Sequence, residues 1–149
     1  MKYIGKNGKE FNIECVKNNN FYEVKAIGEN FDVMGYANFI FCPTDKKVWL
    51  YKIETKERYQ GQGVGQAVLD IMECVIVSKR YNKIDGKFFP TNEHARPFYE
   101  KNGYTIEKDG YETYVGKVLC AESVIQRVQK NLSNFAVIDE QQKDDGRDA

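Results

Sequence analysis

The middle of the chain contains a glycine-rich segment directly before an amphipathic helix. From Gln60 the sequence reads QGQGVG, which places three glycines within five positions. Apolar residues then recur at helical spacing, at Val64, Ala67, Val68, Ile71, Met72 and Val75. Glycine lets a backbone approach a ligand closely, and the free N–H groups at a helix N-terminus attract an anion. The segment therefore predicts a phosphate-binding loop, with a flexible linker as the plainer alternative.

Two common phosphate-binding motifs do not fit this segment. A P-loop requires Lys and then Ser or Thr after its glycines, whereas Gln66 and Ala67 follow here. A dinucleotide-binding fold requires G-x-G-x-x-G after a buried parallel strand. Here the spacing is G-x-G-x-G, and the charged residues Lys56, Glu57 and Arg58 come shortly before it. The loop is therefore expected to hold a different phosphate ligand.

The first half of the chain shows strand patterns separated by turn residues. The predicted strands are Phe11–Val16, Phe21–Ile27, Phe31–Phe41 and Val48–Thr55. Alternation in the third strand places one set of side chains on a single face: Phe31, Val33, Ala37, Phe39 and Phe41. The fourth strand is predicted to place Trp49, Tyr51, Ile53 and Thr55 on one side. This half is predicted to be an antiparallel meander.

The second half adds a strand, a helix and a hairpin after the helix that starts at Val64. A strand is predicted for Ile84–Phe89 and a second helix for Asn92–Lys101, with a restart at Pro97 and an end at Asn102 and Gly103. The hairpin pairs Tyr104–Glu107 with Tyr111–Leu119 around the turn at Asp109 and Gly110.

The end of the chain is expected to lie outside the main domain, which covers residues 1–119. Residues 120–138 form a predicted helical extension, because Val124, Val128, Leu132 and Phe135 recur at helical spacing. This helix most simply packs on the domain, and a partner-binding or homodimer helix is the alternative. Residues 139–149 are polar and mostly acidic, which predicts a disordered tail.

Composition and charge exclude several classes of function. The 149 residues suit a single core, and no apolar run reaches the ~20 residues that a membrane-spanning helix needs. The start of the chain is not a signal peptide, so the cytoplasm is the expected location. With 22 basic and 22 acidic residues the formal charge is zero, which argues against a broad nucleic-acid surface.

The cysteines give no sign of a metal site. Cys15, Cys42, Cys74 and Cys120 lie far apart without a CxxC pair, and His94 is the only histidine. Cys74 falls on the helical stripe and is interpreted as a buried free thiol. A cysteine nucleophile would need a base such as His94 and is the weaker interpretation.

Two motifs together resemble the GNAT superfamily of acetyltransferases. The family's loop, Q/R-x-x-G-x-G/A at a helix start, is matched by Gln60, Gly63 and Gly65. Its second motif, roughly N-x-x-A-x-x-F-Y-x-x-x-G-F/Y, is matched by Asn92, Ala95, Phe98, Tyr99, Gly103 and Tyr104. The resemblance covers about residues 31–119. It implies an α/β (α+β) fold, with a mixed, mostly antiparallel twisted sheet, helices packed on it and an extra C-terminal helix.

The resemblance also implies a site for acetyl-CoA as co-substrate. The residues carried over are Ile53, Glu54, Thr55, Gln60, Gly61, Gln62, Gly63, Val64, Gly65, Gln66, Asn92 and Tyr99. In such proteins the loop holds the pyrophosphate, and the end of the preceding strand contacts the pantetheine arm. Tyr99 resembles the acid that protonates the leaving thiolate, although it could simply be a core aromatic residue.

Glu54 is the candidate general base, because it lies on the strand beside the cofactor. Its carboxylate could equally be a solvated group at a strand edge, and Glu57 is a rival base.

Members of the family usually place two helices between their first and second strands, and these helices form the walls of the acceptor site. The segment from Phe11 to Phe41 contains only strand and turn patterns, so the acceptor side is expected to be open or built differently.

The predicted function is therefore direct transfer of an acetyl group from acetyl-CoA to an amine of a small molecule or polypeptide. A non-catalytic sensor of acetyl-CoA would show the same motifs, because they describe the cofactor site. An interaction protein that uses the helix from Val124 to Phe135 is the third hypothesis. Release of CoA in the presence of amines separates the first two.

Overall fold

A computed structural model describes residues 1–5 and 8–130 of the chain. Its strands are β1 Lys2–Ile4, β2 Glu10–Asn18, β3 Phe21–Ile27, β4 Val33–Cys42, β5 Lys47–Thr55, β6 Lys83–Phe88, β7 Thr105–Lys108 and β8 Thr113–Val118. Its helices are α1 Val64–Ser78, α2 Ala95–Lys101 and α3 Ala121–Gln129, with 3₁₀ turns at Glu29–Phe31 and Glu57–Tyr59. The strands form one sheet in the order β1-β2-β3-β4-β5-β6-β8-β7. β5 and β6 are parallel and are connected through α1, whereas the other neighbouring strands are antiparallel.

The helices of the described residues pack on one face of the sheet. α1 contacts β2 to β5, and α3 packs on α1. Leu69, Ile71 and Met72 of α1 are fully buried in the core that the helix shares with the strands. On the opposite face, Phe21 and Ile40 lie in register across β3 and β4 and remain partly exposed. The sheet therefore has one helix-covered face and one helix-free face.

Two acidic residues one turn apart, Asp70 and Glu73, are buried in α1 at 2% and 0% exposure. Gln66 of the same helix donates a hydrogen bond to Asp70, and the other partners come from outside the helix: Tyr3, Tyr104, Lys117 and Arg127. Burial raises the pKa of Asp70, against the opposing effects of its hydrogen bond from Tyr3 and of the Arg127 charge. Since buried charges need partners, these contacts fix both β1 and α3 to α1.

The structure confirms the predicted fold, a mixed and mostly antiparallel sheet with packed helices and an extra C-terminal helix. Val124 and Val128 of α3 are buried as expected. The predicted positions Leu132 and Phe135 and the tail 139–149 lie outside the described residues. Every helix of the described ranges is too short or too polar to cross a lipid bilayer.

Two predicted strand faces are wrong because of irregular backbone. Phe31 ends a 3₁₀ turn with a φ of 62° and is 90% exposed, so it does not belong to the core face of β4. In β5, Asn38 pairs with Lys52 while Phe39 pairs with Leu50, which makes Tyr51 an extra residue. Such a bulge shifts the side chains that follow to the other face, so Trp49 and Ile53 do not share a side.

The second helix also begins later than predicted. α2 starts at Ala95, three residues after Asn92, and places Pro97 within its first turn, where a missing N–H does little harm. Its end is as predicted, with Asn102 as the C-cap and Gly103 in the left-handed region at a φ of 84°.

Candidate active site

A cleft opens where the parallel strands β5 and β6 separate. They pair at only three positions, from Val48 opposite Ile84 to Leu50 opposite Gly86. Beyond these, β5 continues to Thr55 paired only with β4, and β6 continues to Phe88 paired only with β8. Along the edge of β5 that faces this gap, the backbone N–H and C=O groups beyond Leu50 do not pair with β6. A ligand arm lying in the cleft can bond to them as a further strand would.

The glycine-rich loop lies at the end of β5 and leads into α1. Gly61 and Gly63 have φ angles of 79° and 85°, in the left-handed region that favours glycine. A Cβ at either position would meet nothing within 4 Å, so the space above the loop is open. Gly63 is the N-cap of α1 and offers no side chain to the first N–H groups of the helix. This arrangement suits an anion.

The remaining residues of the loop connect β5, α1 and α2. Gln60 donates a hydrogen bond from Nε2 to the Thr55 carbonyl at 3.4 Å. A Cβ at Gly65 would lie 3.3 Å from Thr55 Oγ1 and 3.5 Å from a ring carbon of Phe98. The loop is therefore packed closely between the end of β5 and the start of α2 on its inner side. Val64 is buried, and Gln62 accepts a hydrogen bond from Lys9.

Gln66 is held by neighbours on both sides. Its Nε2 donates to Asp70 Oδ1 at 2.9 Å and to Asn102 Oδ1 at 2.7 Å. These bonds direct the amide toward the packed contact between α1 and the end of α2. The assignment of Gln66 to the cofactor site stays a prediction that rests on its backbone position in the first turn.

Two cations beside the loop were not singled out from the sequence. A surface depression just before it is lined by Lys56, Glu57 and Arg58. Lys56 Nζ lies 5.9 Å from the centre of the Tyr36 ring, and Arg58 lies 4.0 Å from Asp32 and over the Tyr59 ring. The sequence signal was the charged run before the glycines, which served only to reject a dinucleotide fold.

Tyr99 is buried in α2 among aromatic rings. Its ring is stacked on Phe88 at 5.6 Å and packs edge-on against Phe98 and Tyr104. Among the described residues its hydroxyl makes no hydrogen bond, and burial raises its pKa to about 12. The hydroxyl is therefore protonated at neutral pH and can donate a hydrogen bond or a proton to a ligand. Phe88 places it beside β6, on the helix-covered side of the cleft.

Glu54 lies on the opposite face of the sheet. It is directly opposite Tyr36 on β4, whereas the adjacent pair of Gly35 and Thr55 faces α1. Glu54 Oε2 is 3.1 Å from Lys52 Nζ and accepts a hydrogen bond from Tyr36 Oη at 3.3 Å. The Lys52 contact is the main cause of a lowered pKa for Glu54, so the carboxylate is ionised at neutral pH.

The other candidate residues are more dispersed. Ile53 is partly buried on the core face, where it pairs with Ala37. Asn92 is exposed before α2, and its Oδ1 accepts a hydrogen bond from the His94 backbone at 3.3 Å. Glu57, the rival base, is exposed in a 3₁₀ turn. The cofactor-binding and catalytic roles of all these residues stay predictions.

Comparison with known proteins decides the family. A model of the acetyltransferase (GNAT) family matches residues 6–104, about two thirds of the chain. The chain belongs to the GNAT family of acetyltransferases. Membership confirms the predicted enzyme class, an acyltransferase with acetyl-CoA as its co-substrate. No curated protein sequence matches the chain significantly.

Solved structures share the fold at low sequence identity. The PaiA N-acetyltransferase from Thermoplasma acidophilum, in complex with coenzyme A, is 20% identical with a TM-score of 0.60, covering 65% of this chain and 60% of that one. A GNAT acetyltransferase from Staphylococcus aureus is 16% identical with a TM-score of 0.63, over 68% and 69% of the two chains. The ribosomal-protein-S18-alanine N-acetyltransferase from Escherichia coli is 17% identical with a TM-score of 0.58, over 69% and 70%.

The residues of this chain fit acetyl-CoA in two respects. The open glycines at the start of α1 suit a pyrophosphate. The edge of β5 beyond Leu50, which does not pair with β6, suits an extended arm with amide groups.

Proposed function

We propose that the chain transfers an acetyl group directly from acetyl-CoA to an amine of a small molecule or polypeptide. The observation that carries this proposal is the separation of β5 and β6 beyond Leu50 and Gly86. The gap lies between the proposed proton donor Tyr99 on the helix-covered side and the proposed base Glu54 on the other. Acetyl-CoA supplies an activated acyl group, whose carbonyl the amine attacks and whose thiolate leaves.

The binding role falls to the loop and the strand edge. Backbone N–H groups of Gly63, Val64 and Gly65 point out of the first turn of α1 and would hold the pyrophosphate. Backbone groups from Ile53 to Thr55 would bond to the pantetheine arm, which fixes the reacting carbonyl in position. Such positioning removes much of the entropic cost of bringing two reactants together.

Two side chains would move the protons. Tyr99 would protonate the departing thiolate, because its hydroxyl is protonated at neutral pH and has no competing partner among the described residues. Glu54 would accept the proton that the attacking amine loses, directly or through a water. An ionised carboxylate at this position also attracts the ammonium form of the acceptor to the site.

An acceptor on a polypeptide is supported by one neighbour and by the shape of the sheet. The neighbour from Escherichia coli is named for acetylating an alanine of a ribosomal protein. In the part of the chain that the structure describes, no helix covers the face that carries Glu54. A face open in this way admits a large acceptor as readily as a small one.

The proposal is tested by acetyl-CoA binding and CoA release with a panel of amines, for the parent protein and two valine variants. Gly63→Val would crowd the pyrophosphate, and we expect it to weaken acetyl-CoA binding at least tenfold. Asn19→Val is the control for backbone strain, because Asn19 also has a positive φ, of 56°, but is exposed in the turn between β2 and β3. It should be destabilised by similar backbone strain while its binding is unchanged.

The outcomes separate the competing functions. Binding with amine-dependent CoA release supports the transferase. Binding without CoA release for any amine would favour a sensor of acetyl-CoA. Absence of acetyl-CoA binding, or equal binding by the parent protein and Gly63→Val, would refute the cofactor site.

A further inference from the structure

A chain of side-chain hydrogen bonds connects the first turn of α1 to the end of α2. Gln66 Nε2 donates to Asn102 Oδ1 at 2.7 Å and to Asp70 Oδ1 at 2.9 Å. Asn102 is the C-cap of α2 and is 9% exposed, and its Nδ2 donates to the Phe98 carbonyl at 2.8 Å. A buried amide therefore joins the two helices.

The donors and acceptors of this chain can be arranged in one direction only. The Phe98 carbonyl can only accept, so Asn102 must turn its amide nitrogen toward Phe98 and its oxygen toward Gln66. Gln66 must then present its nitrogen to Asn102, and the second hydrogen of that nitrogen goes to Asp70. Turning either amide over would bring donors onto donors or acceptors onto acceptors, which is costly in a buried place. The network therefore fixes the orientation of both side chains.

A second contact at the same place fixes the rotation of α2. A Cβ at Gly65 would lie 3.5 Å from a ring carbon of Phe98, so the Phe98 ring packs on the first turn of α1. Phe98 and Asn102 are four residues apart, which places them about one turn apart on the same side of α2. They hold the consecutive residues Gly65 and Gln66. Rotation of α2, or sliding along α1, would break one of these two contacts.

Tyr99 lies between the two contact points. It follows Phe98 in sequence, so its side chain leaves α2 about 100° further around the helix axis. There its ring packs against Phe88 and Tyr104. The Tyr99 carbonyl accepts hydrogen bonds from the backbone N–H groups of Asn102 and Tyr104, at 3.1 and 3.0 Å. The direction of the Tyr99 hydroxyl thus depends on how its neighbours on both sides are held.

We infer that Asn102 is a positioning residue, which together with Gln66 sets the place of the Tyr99 hydroxyl relative to the turn of α1 that would hold the pyrophosphate. This inference rests on the proposed transferase function and names a further residue on which that reaction depends. Acetyl-CoA would be held by its pyrophosphate at α1 and would expel its thiolate at Tyr99. The placement of α2 on α1 therefore decides whether the hydroxyl meets the sulfur, and an error of about 1 Å in such a placement can cost about a hundredfold in rate.

The test removes the amide of Asn102 and asks whether the effect passes through Tyr99. CoA release is measured with the amine of the panel that reacts fastest with the parent protein. In Asn102→Leu we expect kcat per folded molecule to fall roughly ten- to hundredfold, with acetyl-CoA affinity within about threefold of the parent value. In the Tyr99→Phe background the same change should lower kcat by less than about twofold, because no hydroxyl remains to be misplaced.

Tyr3→Phe is the matched control for the loss of a buried hydrogen bond. Tyr3 is 2% exposed, and its hydroxyl donates to Asp70 Oδ2 from β1, away from Asn102. Stability should fall in this variant as it does in Asn102→Leu, whereas kcat should equal that of the parent protein. Gln66→Met, which removes the donor from the partly exposed end of the pair, gives the same test if Asn102→Leu does not fold.

Three results would overturn the inference: an unchanged kcat, equal loss of kcat with and without the Tyr99 hydroxyl, or a loss of acetyl-CoA affinity as large as the loss of kcat. If the parent protein releases CoA and one of these results is found, Asn102 has only a structural role and the proposed function stands. If the parent protein releases no CoA with any amine, the proposed function has failed and the inference fails with it.

Discussion

Tyr99 is the residue whose change separates chemistry from cofactor binding. Tyr99→Phe keeps the ring stacked on Phe88 and removes only the hydroxyl, which has no hydrogen bond among the described residues. Fold and acetyl-CoA affinity should therefore change little, whereas turnover should fall by ~10²–10⁴, as for loss of a general acid. The measurement is CoA release beside acetyl-CoA binding on the same variant.

A neighbouring tyrosine provides the control for this change. Tyr104 packs edge-on against Tyr99, and its hydroxyl donates to Glu73 at 2.8 Å. Tyr104→Phe should lower stability through the lost buried hydrogen bond and leave turnover per folded molecule close to that of the parent protein. Undiminished turnover in Tyr99→Phe would make Tyr99 a packing residue.

The raised pKa of Tyr99 also predicts a pH profile. Burial raises this pKa to about 12, so the hydroxyl keeps its proton as the pH rises from neutral and loses it only near that value. Because kcat/KM reports the ionisations of the free enzyme, the ratio of kcat/KM for the parent protein and Tyr99→Phe should be constant up to about pH 10. A ratio that declines well below that pH would show that Tyr99 ionises earlier and would contradict this account.

At the same scale, the positions of the candidate residues along the chain could be predicted better than their contacts. The loop from Gln60 to Gly65 lies at the start of α1, as the helix pattern predicts, whereas the roles of Glu54 and Tyr99 stay predictions. The contact between Lys52 and Glu54 depends on the bulge at Tyr51 and on pairing with Tyr36. A bulge has no reliable sequence signal, so these partners could not be named in advance.

Among the elements, α3 is held on the domain by its buried Val124 and Val128 and by the ion pairs of Arg127. Arg127 contacts both Asp70 and Glu73, which are buried in α1. Removing one partner of a buried ion pair costs about 3–5 kcal/mol, and the 35% exposure of Arg127 reduces this, so Arg127→Met should cost about 2–3 kcal/mol. Urea denaturation monitored by far-UV circular dichroism measures the loss.

An exposed arginine serves as the control for this prediction. Arg96 pairs with Asp109 at 2.8 Å on the surface, with side chains 39% and 58% exposed. Arg96→Met should stay within about 1 kcal/mol of the parent protein, because exposed pairs contribute little. Equal losses in the two variants would mean that the buried acids do not depend on α3.

Elements with strong periodicity were predictable and irregular ones were not. α1 follows from its apolar stripe, and β3 was predicted with the bounds that the structure shows. β1 has only three residues, too few for an alternating pattern. Asp70 and Glu73 are charged yet buried, and nothing in a helical stripe reveals that Lys117 and Arg127 will reach them from distant segments.

For the whole molecule, the candidate residues lie on both faces of the sheet, on either side of the gap between β5 and β6. The helix-covered face provides the start of α1, the loop and Tyr99. The helix-free face provides Glu54 with Lys52 and Tyr36. Under the proposed function, both reactants would meet in the gap that opens between β5 and β6 beyond Leu50 and Gly86.

This division predicts how ligands stabilise the fold. A ligand at a hundredfold excess over its dissociation constant should add ~2.7 kcal/mol to the free energy of unfolding, so acetyl-CoA should raise the melting temperature. S-acetylpantetheine at the same concentration keeps the arm and thioester but lacks the pyrophosphate that the glycine loop would hold. Since the proposed pyrophosphate site lies at the loop and the start of α1, stabilisation by S-acetylpantetheine should be much smaller. Thermal unfolding with each ligand measures the difference: equal shifts would place the binding energy outside the loop, and no shift with acetyl-CoA would count against the cofactor site.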